Sequence, residues 1–370
     1  MSVEQETRPA AASPGRTMTR LIDVDVHPTV DGGLAELFPY MTEGWREKLK
    51  GQAGGGLRPG IAHRLSIPTG GTFRDATPPD GGAPASDADF LRKDLLDRYA
   101  IENALLIVVE AATMAVATTD PDYSAVLVSA CNDYFIERWV DDRMRLALAV
   151  SPLDPELAVK EIRRHGQNPK VAAIFLPIPN IRLGNRHYYP IYEAALELGL
   201  PIATHPGAGE ASFQGAAVFA GGLQERYIER YCDWGQIAWS QITSLMFSGA
   251  FQRYPDLKVL FIEWGFTWAV PLMWRMDKAW HAARIEVPWV TKWPSEYVRD
   301  HIRFSTQPID EPHQEKDLDR LVEDYFADTL MFATDYPHWD TDLPGTVLKT
   351  LSPETRDKVY YRNAKAVLRL

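Results

Sequence analysis

Between residue 21 and the end of the chain, short apolar runs alternate with helix-like segments about eight times, and no other feature restricts the fold as strongly. The runs are LIDVDVH (21–27), ALLIVVE (104–110), RLALAVSP (145–152), VAAIFLP (171–177), LPIATHPG (200–207), LKVLFIEWG (257–265), IRFSTQP (302–308) and TLMFATDYP (329–337). Most are continuously apolar, as strands covered on both faces are in parallel sheets. Segments such as DADFLRKDLLDRYAI (87–101) and DPELAVKEIRRHG (154–166) carry helical spacing between them, with Asp87 or Asp89 placed to cap the first. Eight strand–helix units predict a closed (β/α)8 barrel with loop insertions. A doubly wound open sheet is the alternative, weakened because no GxGxxG follows the first strand.

The expected domain runs over 20–370 as a single unit. Residues 1–19 carry charges and no apolar stretch, and are expected to form a flexible tail rather than a secretory signal. Insertions are expected near 51–90, rich in Gly, Pro, Asp and Ala, and near 208–235. A net charge of −11 argues against a nucleic-acid partner, whose phosphates require a basic face. No apolar run is long enough to cross a membrane. Two cysteines, Cys131 and Cys232, suit a reduced, cytoplasmic protein.

In a barrel of this kind the chemistry collects at the C-terminal ends of the strands. Those ends carry Asp25 and His27 on the first strand, His205 on the fifth, Glu263 on the sixth, Gln307 on the seventh and Asp335 on the eighth. Asp23, Asp25 and His27 alternate with apolar residues, so all three project from one strand face. Each has an ordinary structural reading: a wet strand face, a satisfied histidine, a turn carboxylate. Convergence of carboxylates and imidazoles from several strand ends is instead what a catalytic divalent metal requires. Trp264 and Trp268 follow the sixth strand, as core or as walls for an aromatic or hydrophobic substrate. Gln307 is placed to hydrogen-bond that substrate, and His338 stands three residues beyond Asp335.

The blocks DVDVHP, YYPIYEAALELGLPIATHPG, RYPDLKVLFIEWG and FATDYPHWD occur in the order found in the amidohydrolase-related (amidohydrolase 2) family. The chain resembles the branch that includes aminocarboxymuconate-semialdehyde decarboxylase and the resorcylate-type decarboxylases. The resemblance implies one divalent metal held by Asp25, His27, His205 and Asp335, a small-molecule substrate, and a homodimer or higher homo-oligomer. Two departures stand out: Asp25 replaces a histidine of the semialdehyde decarboxylase, and Glu263 stands where those decarboxylases place a histidine. Two carboxylates and two neutral imidazoles balance a divalent charge, and the oxygen-rich set admits Mn2+ or Mg2+ beside Zn2+.

Two enzyme readings follow. In the first, a hydrolase attacks a small cyclic or aromatic carbonyl compound with a metal-bound water, Glu263 acting as base and Asp335 or His338 passing the proton on. In the second, an aromatic or muconate-type acid loses carbon dioxide without oxidation. A non-catalytic binding barrel is a third, minor reading, opposed by four intact ligand positions.

Overall fold

The computed structural model describes residues 20–52, 71–206 and 226–370. The expected tail, the centre of the 51–90 segment and most of the 208–235 segment fall outside the described residues. Eight strands, β1 (Ile22–Val26), β2 (Asn103–Leu106), β3 (Met144–Ala149), β4 (Val171–Phe175), β5 (Ile202–Thr204), β6 (Val259–Phe261), β7 (Ile302–Ser305) and β8 (Leu330–Met331), pair in sequence order. Every pairing is parallel. The alternation of strands and helices therefore closes into the (β/α)8 barrel, and the open sheet is excluded.

Closure at the β8–β1 seam needs help, because β8 is only two residues long. Val24 N donates to Phe332 O at 3.0 Å, Asp335 N to Asp25 O at 3.0 Å, and His27 N to Tyr336 O at 2.8 Å. The Asp23 carboxylate, wholly buried, adds three more bonds, from Asp25 N (3.1 Å), Thr334 N (3.0 Å) and Thr334 Oγ1 (2.6 Å). All five residues of β1 are buried, so the alternating strand is not a solvated face. Its apolar residues face the helix layer and its polar residues the barrel interior, as a period of two requires.

The helices follow local chemistry. Pro155–His165 starts at Asp154, whose carboxylate accepts from Glu156 N and Leu157 N, and it buries Ala158 and Ile162 four residues apart. Asp87 caps Ala88–Leu91. Two elements differ from the sequence reading. The apolar run 104–110 leaves the sheet after Leu106 and begins a buried helix, Val109–Val116, because a run apolar all round does not distinguish strand from helix. The 329–337 segment keeps only Leu330–Met331 in the ladder, and its remainder turns inward to present Asp335.

Replacing Asp23 by alanine strands three buried donors at the seam. Stability should fall by about 3 kcal/mol, read by urea denaturation with the slope unchanged.

Candidate metal centre

The strand ends bring Asp25, His27, His205, Glu263 and Asp335 together, each at most 5% exposed. His27 Nε2 lies 3.1 Å from Asp25 Oδ1 and 2.9 Å from Asp335 Oδ1. His205 Nε2 lies 3.5 Å from Asp25 Oδ1 and 2.8 Å from Glu263 Oε2. Yet Asp25 Oδ1 and Oδ2, His27 Nε2 and His205 Nε2 are buried and make no hydrogen bond among the described residues. The opposite ring nitrogens do: Nδ1 of His27 donates to Ile107 O at 2.8 Å and Nδ1 of His205 to Pro206 O at 2.6 Å. Bonds of this kind fix the ring and direct Nε2 inward, as around metal-ligating histidines. Buried donor atoms that crowd one point without bonding one another fit a divalent cation.

One group of four mutually close ligand atoms comes from Asp25, His27, His205 and Glu263, all within 4.8 Å. Asp335 joins through His27 and His338, in a second group on the same scale. Glu263 is thus a potential ligand as well as a candidate base. A third group, Glu263, Asp335 and Asp340, extends the acidic surface outward.

Two of the carboxylates sit on unusual backbone. Glu263 and Asp335 both have φ of 62°, the left-handed region that costs a residue with a Cβ about 1–3 kcal/mol. Neighbours hold them there: Glu263 N donates to Ser305 Oγ at 2.8 Å, and Ser305 Oγ donates to Gln307 O at 2.9 Å. Such strain persists where the surroundings over-determine a conformation, and here it turns both side chains to the cluster.

Gln307 is wholly buried, and its Nε2 donates to Asp335 Oδ2 (3.0 Å) and Asp340 Oδ2 (2.8 Å) while its Oε1 has no described partner. His338 joins through Nδ1 to Asp335 Oδ1, with its ring centroid 4.7 Å from that of His27. The described end of the 51–90 segment reaches the same place, through Phe73 N to Pro337 O (2.8 Å) and Trp339 N to Gly71 O (2.9 Å).

Trp264 and Trp268 are directed elsewhere. Trp264 is buried with Nε1 donating to Thr204 Oγ1 at 3.1 Å. Trp268 donates to Trp264 O at 2.9 Å and packs against Gly235 and Phe304. Strand alternation explains this. His205 faces the centre, so Thr204 faces the helices, and Trp264 goes with it. Asp340 and Tyr231 carried no assigned role in the sequence reading. Asp340 follows Asp335 by five residues, whereas nothing in the sequence marked Tyr231, on the helix Tyr227–Phe247.

Burial sets the electrostatics. It pushes Glu263 up to about 7, with the Asp335 charge adding, and Asp335 up to about 6 against the opposing pull of His27. Asp23 rises to about 7 for the same reason, despite its three donors. Burial alone would raise Asp25 too, but His27 and His205 hold it well below the usual carboxylate range. Burial works to lower His205, and Glu263 and Asp25 hold it up at about 10.

A family model described as Amidohydrolase matches residues 22–370. The chain belongs to this amidohydrolase family. Membership makes it an enzyme. No curated protein sequence matches it. Among solved structures, an amidohydrolase of Mycobacterium avium subsp. paratuberculosis K-10 is 22% identical, with 95% of this chain and 98% of that one covered at a TM-score of 0.68. A dihydroxybenzoic acid decarboxylase of Polaromonas sp. JS666, with bound manganese and 2-nitroresorcinol, is 18% identical over 95% and 97% (TM-score 0.63). A 5-carboxyvanillate decarboxylase of Novosphingobium aromaticivorans DSM 12444, with manganese and a nitrobenzoic acid, is 16% identical over 99% and 100% (TM-score 0.65). At these identities the likeness is one of fold. Among the described residues no helix is long and apolar enough to cross a membrane.

The raised carboxylates give this amidohydrolase a definite pH response. A carboxyl held above its unfolded value stabilises the fold below that unfolded value, near 4, and the contribution is lost as pH rises through the folded value. The chelator-treated protein should therefore lose thermal stability between about pH 4 and 7, from the unfolded carboxyl value up through the folded values of Asp335, Glu263 and Asp23. Mn2+ favours the anions, so the stabilisation it adds should grow over the same range. Melting curves with EDTA and with Mn2+ at each pH measure both.

Proposed function

We propose that this chain is a divalent-metal-dependent carboxy-lyase that removes carbon dioxide from a hydroxylated aromatic acid. The observation that carries the reading is the engagement of Glu263. Its Oε2 lies 2.8 Å from His205 Nε2, among the ligand atoms, rather than standing apart as a base would. Asp25, His27, His205 and Asp335 would hold the ion, Mn2+ or Zn2+, with Glu263 close enough to join them, and when bound it would draw in the substrate carboxylate and stabilise charge developing beside it. The decarboxylases of like fold, one bound to manganese and 2-nitroresorcinol, support the same substrate class.

The chain's own groups suit that substrate. The Oε1 of Gln307, without a partner among the described residues, would accept a hydrogen bond from a phenolic hydroxyl, since a buried acceptor left unpaired favours a ligand that supplies one. Tyr231 and Trp339, with ring centroids 5.8 Å apart, offer flat faces beside Asp340. His338 would hold Asp335 in orientation through its Nδ1 bond. Trp264 and Trp268, bonded into the helix layer, are better assigned to support of β5 and β6 than to the substrate.

Hydrolysis of a cyclic or aromatic carbonyl compound remains a second reading, favoured by one observation: Glu263 is raised to about 7, a value suited to a base at neutral pH. The two separate cleanly. The Mn2+-loaded enzyme should release carbon dioxide from 2,6-dihydroxybenzoate or a related hydroxybenzoate, and lose that activity with EDTA. Turnover of lactones or amides with no carbon dioxide release from the acids would select hydrolysis. Gln307→Leu should raise KM for the hydroxylated acid by about tenfold, the worth of one buried hydrogen bond, in initial-rate kinetics.

A further inference from the structure

The cluster opens toward solvent along one row of side chains. Asp335 is wholly buried, Asp340 and Tyr231 are half-buried, and Trp339 is 44% exposed. Contacts link the row. An oxygen of Asp340 lies within 4.8 Å of carboxylate oxygens of Glu263 and Asp335, and Tyr231 Oη donates to Asp340 Oδ2 at 2.7 Å. The rings of Tyr231 and Trp339 then stand with centroids 5.8 Å apart and planes inclined at 50°. They form an aromatic corner, one step farther from the metal ligands than Asp340.

Both walls of the corner are held. Tyr231 is fixed at its hydroxyl by Asp340, and Trp234, one turn along the same helix, packs against its ring at 4.9 Å. Trp339 N donates to Gly71 O at 2.9 Å and Phe73 N to Pro337 O at 2.8 Å, on either side of a bridge between Thr72 and His338. A rigid aromatic face already in place gives up little freedom when a ligand covers it. The continuity of the corner with Asp340 and the cluster points to the substrate as that ligand.

On the carboxy-lyase reading, on which this inference rests, the substrate carboxylate lies at the ion, so position 4 of its ring is farthest from the metal and faces out along the row. We propose that Tyr231 and Trp339 form a second aromatic subsite that takes a flat apolar group carried at position 4. The favoured substrate is then a 2-hydroxybenzoate extended by an aryl group para to its carboxylate, rather than a single-ring acid. An added ring leaves water and packs against both walls, which a bare hydroxybenzoate does not reach. Tyr231 and Trp339 take no part in the chemistry, so the subsite acts through KM and not through kcat.

The test measures binding of 2-nitrophenol and 2-nitro-5-phenylphenol to the Mn2+-loaded full chain, the nitro group standing for the carboxylate with the phenyl group para to it. The phenyl probe should bind about 20-fold more tightly. Trp339→Ala should reduce that ratio to about threefold or less, whereas Trp339→Phe and Tyr231→Phe, which keep a ring at each wall, should hold it above about fivefold. If Trp339→Ala does not load Mn2+, Trp339→Gln is read in its place. A wild-type ratio near one, a ratio unchanged in the Trp339 variant that removes the ring, or no binding of either probe overturns the subsite. Carbon dioxide release separates this from the reaction: 2-hydroxy-4-phenylbenzoate should show a KM about 20-fold below that of 2-hydroxybenzoate, with kcat within about threefold. Tighter binding of the phenyl probe with no carbon dioxide from either acid, or from 2,6-dihydroxybenzoate, leaves the subsite standing and overturns the carboxy-lyase reading. Release from both 2-hydroxy acids at equal KM keeps the reading and overturns the subsite.

Discussion

The structure depends on one electrostatic circumstance: carboxylates gathered in the apolar mouth of a closed barrel, away from water. Asp25, Glu263 and Asp335 are essentially inaccessible and lie around two imidazoles whose inward nitrogens make no hydrogen bond among the described residues. Buried like charges are tolerated when protons, hydrogen bonds or a cation offset them. Here the bonds on Nδ1 of His27 and His205 leave the Nε2 atoms for the centre, so a cation answers both the charge and the orphaned atoms. The elevated Glu263 and Asp335 carboxyls express the same demand.

That demand shapes the barrel around it. The short β8 cannot complete the ladder, and Asp23 takes over by bonding Thr334 across the seam. One strand therefore supplies both the fastening of the barrel and the first wall of the site, with Asp23 behind Asp25 and His27. The left-handed backbone at Glu263 and Asp335 belongs to the same arrangement. The ends of β6 and β8 turn sharply so that side chains that would otherwise pass outward point at the centre. Ser305, the last residue of the intervening strand β7, and Gln307, just beyond it, brace that geometry from between.

Much of this was legible in the sequence because strands announce their faces. Asp25, His27, His205, Glu263 and Asp335 each close an apolar run, and a (β/α)8 barrel brings such ends to one mouth. Side-chain direction beyond the strand ends was not legible. Trp264 follows Glu263 immediately, yet it faces the helices because Thr204, its partner, alternates with His205. Tyr231 stands on a helix whose docking over the mouth is a tertiary fact, and its bond to Asp340 joins residues 109 apart. The apolar run after Leu106 failed for a different reason, since a fully buried helix and a fully buried strand share a composition.

The central claim is that one divalent ion sits among these side chains, and anomalous scattering from crystals of the Mn2+-loaded protein tests it most directly. The account predicts a single strong peak at about 2.0–2.3 Å from Asp25, His27 Nε2, His205 Nε2 and Asp335. Crystals of fully Mn2+-loaded protein with no peak among these residues, or with the ion bound elsewhere, would contradict it.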